Sequence, residues 1–142
     1  SPLMRCRQTA ELLFPGMEQH IVPDLQECDF GDYECKTWEE LKGEEIYRAW
    51  IGGDMTVTFP HGESMEHFIA RCRRGIQTVA QQAKAMGLQR PAIVAHGGTW
   101  LVVMGTFGRP ERKLYDWQVK NCGGFRVSVQ ENPFTLKLLE EL

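Results

Sequence analysis

The chain of 142 residues carries a net charge of −3 at pH 7, with 42% hydrophobic and 25% charged residues. These values are typical of one globular domain, and they argue against a nucleic-acid-binding protein, which usually has a strongly basic surface. No apolar run approaches the roughly 20 residues of a membrane-spanning helix. The five cysteines are an odd number without a C-x-x-C pair, which predicts reduced thiols in a cytoplasmic protein. We expect Cys6 and Cys72, on apolar faces, to serve packing.

The first half of the chain predicts one helix, one short strand and two long loops. The helix covers residues 1–16, with Ser1 as its N-cap. The stretch QHIVPDL, residues 19–25, predicts a short strand that stops at its proline. A polar loop then leads into a short helix whose Thr37 and Glu40 are spaced as a capping box. The loop over residues 52–63 has a length that often indicates a functional role.

The second half alternates helices with strands, which predicts an α/β layered fold. Apolar residues at a period of 3.6 predict a long helix over residues 64–87, closed by Gly87. The run PAIVA predicts a buried strand of a parallel sheet. The remaining predicted elements, in chain order, are a buried helix over 99–108, a short helix over 110–118 and strands over 125–130 and 134–138.

His96 directly follows the predicted PAIVA strand and precedes two glycines and a helix start. Ligands of open α/β sheets bind at the carboxyl ends of strands, and the amides of Gly97 and Gly98 at a helix N-terminus suit an anion. The motif alone fits a buried core histidine equally well.

Two further residues have both a functional and an ordinary interpretation. Arg5 lies in the first turn of the first helix, where an arginine is either solvated or offers its planar donor fork to a phosphate. Glu27 lies in a loop, where a glutamate is usually solvated. If Phe30 and Tyr33 shield it, its pKa rises and it can donate a proton.

Five sequence blocks follow one another along the chain in this order: SPLMRCRQTA, LQECDFGDYE, FPHGES, VAHGGT and NCGGF. Together they resemble the histidine phosphatase superfamily, which has the phosphoglycerate-mutase-like fold, and the chain looks most like its small bacterial α-ribazole phosphatase-type members. The resemblance implies a three-layer α/β/α sandwich with a mostly parallel sheet. It also implies that Arg5 binds the transferred phosphate, that Glu27 is the proton donor, and that His96 binds the phosphoryl group together with Gly97.

The resemblance assigns Glu63 and Ser64 to a pocket rim, although Ser64 is equally placed to cap the long helix. The chain departs from the family at two positions. The family usually has glycine where Cys35 stands, and often serine where Ala95 stands. We expect both departures to affect the edge of the pocket and not its phosphoryl-binding centre.

The family's nucleophile is a histidine in an Arg-His-Gly motif at the end of a first, central strand. This motif does not occur in the sequence, and His61-Gly62 belongs to another block. We therefore expect residues 1–142 to be a single, N-terminally incomplete histidine-phosphatase-like domain. The attacking histidine is expected upstream of residue 1, and the chain alone is expected to be inactive.

The leading hypothesis is a phosphomonoester hydrolase that works through a phosphohistidine, without a cofactor or a metal. The alternatives are a phosphoglycerate-type mutase and a non-catalytic phosphate-binding module. The expected partner is a small phosphorylated metabolite, with no nucleic acid and no membrane, and a homodimer stays open. Substrate specificity is expected from residues 39–59. Trp38, Tyr47 and Trp50 either stack on a ligand or form a small core of their own.

Overall fold

A computed structural model of the protein describes residues 1–142. The helices are α1 (Met4–Leu13), α2 (Trp38–Leu41), α3 (Glu45–Ile51), α4 (Met65–Ala85) and α5 (Gly97–Phe107). The strands are β1 (Gly108–Arg109), β2 (Phe125–Glu131) and β3 (Phe134–Glu141). No helix is both long enough and apolar enough to cross a lipid bilayer.

Backbone contacts divide the chain into two compact units. The first unit contains Ser1–Glu27 and Cys72–Leu142, and the second contains Cys28–Arg71. The prediction that residues 1–142 form a single, N-terminally incomplete domain stays a prediction.

The first unit contains a three-stranded mixed sheet in the order β1-β3-β2. Strands β2 and β3 form an antiparallel hairpin, in which Val129 pairs with Leu136, and β1 adds a two-residue parallel pairing on the other side of β3. The two predicted C-terminal strands are therefore confirmed. The fold is α/β, and the outer edge of β2 has no partner strand within the sheet.

Two other predicted strands are wrong. Residues 19–22 have no regular structure, and Pro23–Leu25 form a 3₁₀ turn. Residues 91–95 are not part of the sheet either, and their side chains are exposed or half-buried. A strand exists only through its neighbours' hydrogen bonds, and no strand of this sheet pairs with residues 91–95. An apolar run indicates that a segment can be buried, but not whether a neighbouring strand is present to pair with it.

The long helices follow the predictions closely. Helix α4 ends two residues before Gly87, whose φ of 68° is the left-handed conformation expected of a C-cap glycine. Helix α1 begins later than predicted, because Leu3 and not Ser1 is its N-cap. The helix predicted over 110–118 is wrong, since only a 3₁₀ turn forms there, at Leu114–Trp117.

Helix α5 is the centre of the first unit's core, as its apolar composition predicts. Val103 and Met104 are at most 1% exposed. The helix buries residues on several of its faces: Thr99, Val102, Val103, Met104 and Phe107. Phe107 packs edge-on against Phe134 of β3, with ring centroids 4.9 Å apart. This burial fixes the position of the helix whose N-terminus carries His96.

The second unit is organised around an aromatic cluster, which we define as Phe30, Tyr33, Tyr47, Trp50 and Phe59. Neighbouring rings pack mostly edge-to-face, with centroids between 5.0 and 6.3 Å apart. Phe59 is 1% exposed. Tyr47 and Trp50 thus belong to a small core of their own, which is the second of the two interpretations above. Trp38 is 55% exposed and has no ring contact within this cluster.

Two loops of the second unit cross at glycines. The amide of Asp32 donates to the carbonyl of Pro60 at 2.9 Å. A Cβ at Gly31 would lie 2.1 Å from that carbonyl oxygen, and one at Gly62 would lie 2.5 Å from the carbonyl of Asp29. Both positions therefore require glycine, because the backbones leave no room for a side chain. The FGDY and HGES blocks thus meet through their backbones.

Candidate functional site

His96 is the N-cap residue of α5, with extended backbone angles of φ −120° and ψ 163°. Its carbonyl accepts the first helical hydrogen bond, from Trp100 at 2.9 Å. The side chain is buried, at 7% exposure. An imidazole is therefore fixed at the positive end of a helix, where an anion is stabilised.

Arg5, in the first turn of α1, contacts the His96 ring directly. Its Nε–H donates to His96 Nδ1 at 3.3 Å. An arginine N–H can only donate, so Nδ1 carries no proton, and the neutral ring holds its proton on Nε2. The contact therefore orients both the guanidinium and the imidazole. It leaves the Nε2–H as the donor that points away from the arginine.

Two residues with no predicted role in the site also reach the ring. The Nε2–H of His96 donates to Ser1 Oγ at 2.7 Å. The Sγ of Cys6 lies 3.4 Å from Nε2, and its thiol donates to the carbonyl of Ala95 at 3.4 Å. The packing prediction for Cys6 holds, since it is 5% exposed, but its packing partner is the site histidine. Its sequence position beside Arg5 is the only signal that points to this contact.

Glu27 is held at the same helix end. Its Oε2 accepts a hydrogen bond from the backbone amide of Gly98 at 3.2 Å. Thr99, which is 1% exposed, donates from Oγ1 to the carbonyl of Gln26 at 3.3 Å. The loop that carries the carboxylate is thus tied to α5 by two neighbouring hydrogen bonds. Thr99 was not predicted as a site residue, although a hydroxyl in the first turn of a mostly apolar helix is a signal of such a tie.

Arg5, Glu27, His96 and Gly97 all line one groove of about 1540 Å³ in the first unit. A Cβ added at Gly97 would meet no atom within 4 Å, so the backbone there is open to a ligand. The structure therefore brings together the four residues that the sequence assigned to phosphate chemistry. A guanidinium, an imidazole N–H and helix amides can hold an oxyanion, and the carboxyl group can transfer a proton.

Glu63 and Ser64, predicted for a pocket rim, lie in the second unit. Glu63 receives two hydrogen bonds of 2.7 Å from the Arg71 guanidinium and contacts His67 Nδ1 at 2.5 Å. Burial alone would raise the pKa of Glu63, but these hydrogen bonds and the charge of Arg71 outweigh it and hold the pKa below its ordinary value. Ser64 Oγ accepts the amide of His67 at 3.2 Å and so caps α4. The rim role of this pair stays a prediction.

Solved structures of similar fold include the α-ribazole phosphatase from Shigella flexneri, with a TM-score of 0.73 and 28% identity over 97% of this chain and 69% of that one. The phosphoglycerate mutase from Thermus thermophilus matches with a TM-score of 0.67 and 27% identity, over 100% of this chain and 70% of that one. The α/β fold is thus similar to that of phosphoglycerate-mutase-like proteins.

Among relatives by sequence, the adenosylcobalamin/α-ribazole phosphatase of Salmonella typhimurium is 31% identical over 98% of this chain and 70% of its own length. A protein named putative phosphoserine phosphatase 2, from Hydrogenobacter thermophilus, is 30% identical over 100% of this chain and 70% of its own length. Residues 1–142 match the family model described as histidine phosphatase superfamily (branch 1). These matches support a phosphatase function, and the chain belongs to the histidine phosphatase superfamily.

Proposed function

We propose that the chain carries the phosphate-binding and proton-transfer groups of a phosphomonoesterase that acts through a phosphohistidine. The observation that carries the proposal is the contact of Arg5 with His96 in a groove that Glu27 also lines. The attacking histidine is the one expected in an upstream Arg-His-Gly segment.

Arg5 and His96 would hold the phosphoryl group together. The guanidinium has five N–H donors in a planar fork, so Arg5 can keep its Nε–H on His96 while its terminal nitrogens donate to two phosphoryl oxygens. The Nε2–H of His96 would donate to a third oxygen in place of Ser1 Oγ. The Arg5–His96 contact fixes both side chains, so their donors are preorganised to stabilise the charge of the transition state.

The reaction would then proceed in two steps. In the first step, an imidazole nitrogen forms a bond to phosphorus while the bond from phosphorus to the leaving oxygen breaks, and Glu27 gives its proton to that oxygen. In the second step, water attacks phosphorus, Glu27 takes a proton from the water, and the P–N bond breaks. Inorganic phosphate and the free histidine result.

The experiment that tests this proposal compares leaving groups. A nitrophenolate leaves without a proton, whereas an alkoxide needs one. With the expected Arg-His-Gly segment present, Glu27→Gln should therefore lower kcat on an alkyl phosphate roughly 10²- to 10⁴-fold, and on nitrophenyl phosphate far less. Glu111→Gln, at an exposed glutamate outside the groove, is the matched control and is expected to change neither rate. Equal losses on both substrates would exclude Glu27 as the proton donor.

We further propose a small phosphorylated metabolite of the α-ribazole type as the substrate, in a reducing cytoplasm. Support comes from relatives that carry that name and from the five free cysteine thiols. Likeness to a solved phosphoglycerate mutase keeps the mutase as the second candidate. In the same assay, stimulation of turnover by a bisphosphate primer would favour the mutase.

We also propose the full three-layer α/β/α arrangement, in which a central strand occupies the groove. The segment over residues 92–95 and strand β2, whose outer edge has no partner strand, both line this groove, together with apolar side chains of α4 such as Ile76 and Val79. A strand placed there would pair with both backbones and make the sheet mostly parallel.

This arrangement can be tested with a synthetic apolar strand peptide that ends in Arg-His-Gly. Binding of the peptide is expected to slow amide exchange within residues 92–95 and within β2 together, because the amides on the groove side of both segments would gain ladder hydrogen bonds. A scrambled peptide is the control. Protection in neither segment would contradict the arrangement.

A further inference from the structure

We infer that Gly98 is a positioning residue for the proton donor, because its amide orients the Glu27 carboxylate and its lack of a side chain makes room for it. The inference rests on the proposed function in taking Glu27 as the proton donor. It adds a role for the second glycine of the His-Gly-Gly run, which the sequence had linked only to anion binding.

Gly98 lies close to both oxygens of the Glu27 carboxylate. The Gly98 N–H donates to Oε2 of Glu27 at 3.2 Å. A Cβ at position 98 would lie 2.5 Å from Oε1 of the same carboxylate. Atoms at that separation overlap, so any residue with a side chain would push the carboxylate out of its present position. Gly97 differs, because a Cβ there would meet nothing within 4 Å.

The backbone of the glutamate's loop cannot follow such a displacement easily. The carbonyl of Gln26, one residue before Glu27, accepts a hydrogen bond from the buried Thr99 hydroxyl. The loop is thus anchored to the residue next to Gly98. A side chain at position 98 would therefore move the carboxylate by rotating the Glu27 side chain, while the loop stays in place.

The required movement is large enough to matter for proton transfer. The carboxylate must withdraw by about 0.9 Å for the contact to lengthen from 2.5 Å to the 3.4 Å of ordinary van der Waals packing. A proton donor must stay within hydrogen-bond reach of its acceptor, and a misplacement of about 1 Å can lower a rate by roughly a hundredfold. Gly98→Ala is therefore expected to impair the proton donor.

The same substitution should leave the fold intact. The three nearest atoms that a Cβ at position 98 would meet all belong to the carboxyl group of Glu27, the far end of a flexible side chain. Alanine is also the better helix former at a position inside α5. A loss of function in Gly98→Ala would thus come without a loss of stability, which separates positioning from a general structural role.

The experiment follows the ionisation of Glu27 by ¹³C NMR of its side-chain carboxyl carbon in the wild type, Gly98→Ala and Gly97→Ala. The amide of Gly98 donates to the ionised carboxylate and so favours it. We expect the pKa of Glu27 to rise in Gly98→Ala and to stay unchanged in Gly97→Ala, with a melting temperature of Gly98→Ala equal to or above that of the wild type. The same pKa in Gly98→Ala and the wild type, or equal shifts in both variants, would overturn the inference.

Turnover of an alkyl phosphate, measured with the expected Arg-His-Gly segment present, adds a second readout. Gly98→Ala is expected to lower kcat roughly tenfold to a hundredfold with little change in KM, and to lower it no further in a Glu27→Gln background. Additive losses would overturn the positioning role. If Glu27→Gln itself loses no activity, the proposed function fails. The NMR titration still decides whether Gly98 controls the carboxylate.

Discussion

His96 illustrates how much one contact determines at the scale of a single residue. Because the Nε–H of Arg5 donates to Nδ1, the neutral ring's proton lies on Nε2 and points away from the arginine. The sequence predicted that both residues serve a phosphate, but not that they contact each other. A contact between residues 91 positions apart depends on how the first helix docks, and neither residue's neighbours in sequence specify this.

Cys35 stands where the family usually has glycine, and its backbone explains that preference. It adopts a φ of 61°, in the left-handed region that an L-residue with a side chain enters only with strain. Cys35 is an exposed residue, so its side chain gains little from packing. The cysteine at position 35 therefore raises the conformational energy of the backbone at this position in the second unit.

Replacing this cysteine by glycine is expected to stabilise the protein. Relief of the strain outweighs the greater freedom of glycine in the unfolded chain, so we expect Cys35→Gly to raise the free energy of unfolding by about 0.5 to 1 kcal/mol. The measurement is the midpoint of urea-induced unfolding. Cys35→Ser keeps the Cβ and is therefore the control, for which we expect no rise in the unfolding midpoint. A lower midpoint for the glycine variant would show that the strain argument is wrong.

At the scale of helices and strands, the sequence predicted those elements that are stabilised by interactions between residues close in the chain. The apolar period of α4, its closing glycine and the capping box before α2 all depend on residues within a few positions of one another. Glu40 indeed accepts the Thr37 amide at 2.8 Å. The hairpin of β2 and β3 is similarly local, since seven-residue and eight-residue strands are joined by a tight turn.

The helix predicted over 110–118 is reduced to a 3₁₀ turn, whereas the two predicted strands that do not form are elements that need a partner distant in the chain. Residues 91–95 are apolar enough for a central strand, but a parallel strand requires a neighbour from elsewhere in the chain. The contact between Gly98 and Glu27 was not predicted, for the same reason. The sequence indicates that a helix begins after His96, but the loop that contacts the first turn of this helix lies 71 residues earlier in the chain.

At the scale of the whole molecule, the residues assigned to phosphate chemistry belong to the first of two compact units. They come from both sequence segments of that unit: Arg5 and Glu27 from the first, and His96 from the second. The order of the motifs made the family recognisable before their contacts were known. We expect these three side chains to act on one phosphoryl group.

The most direct test titrates the protein with orthovanadate, which mimics the phosphoryl transition state, and follows the ¹⁵N resonances of the His96 ring. We predict that vanadate shifts the Nε2 resonance in a saturable way. We also predict that Arg5→Met, which keeps the length of the side chain but removes the donor fork, weakens this response at least about tenfold. An unshifted His96 ring, or equal affinity in the Arg5→Met variant, would contradict a phosphoryl site shared by Arg5 and His96.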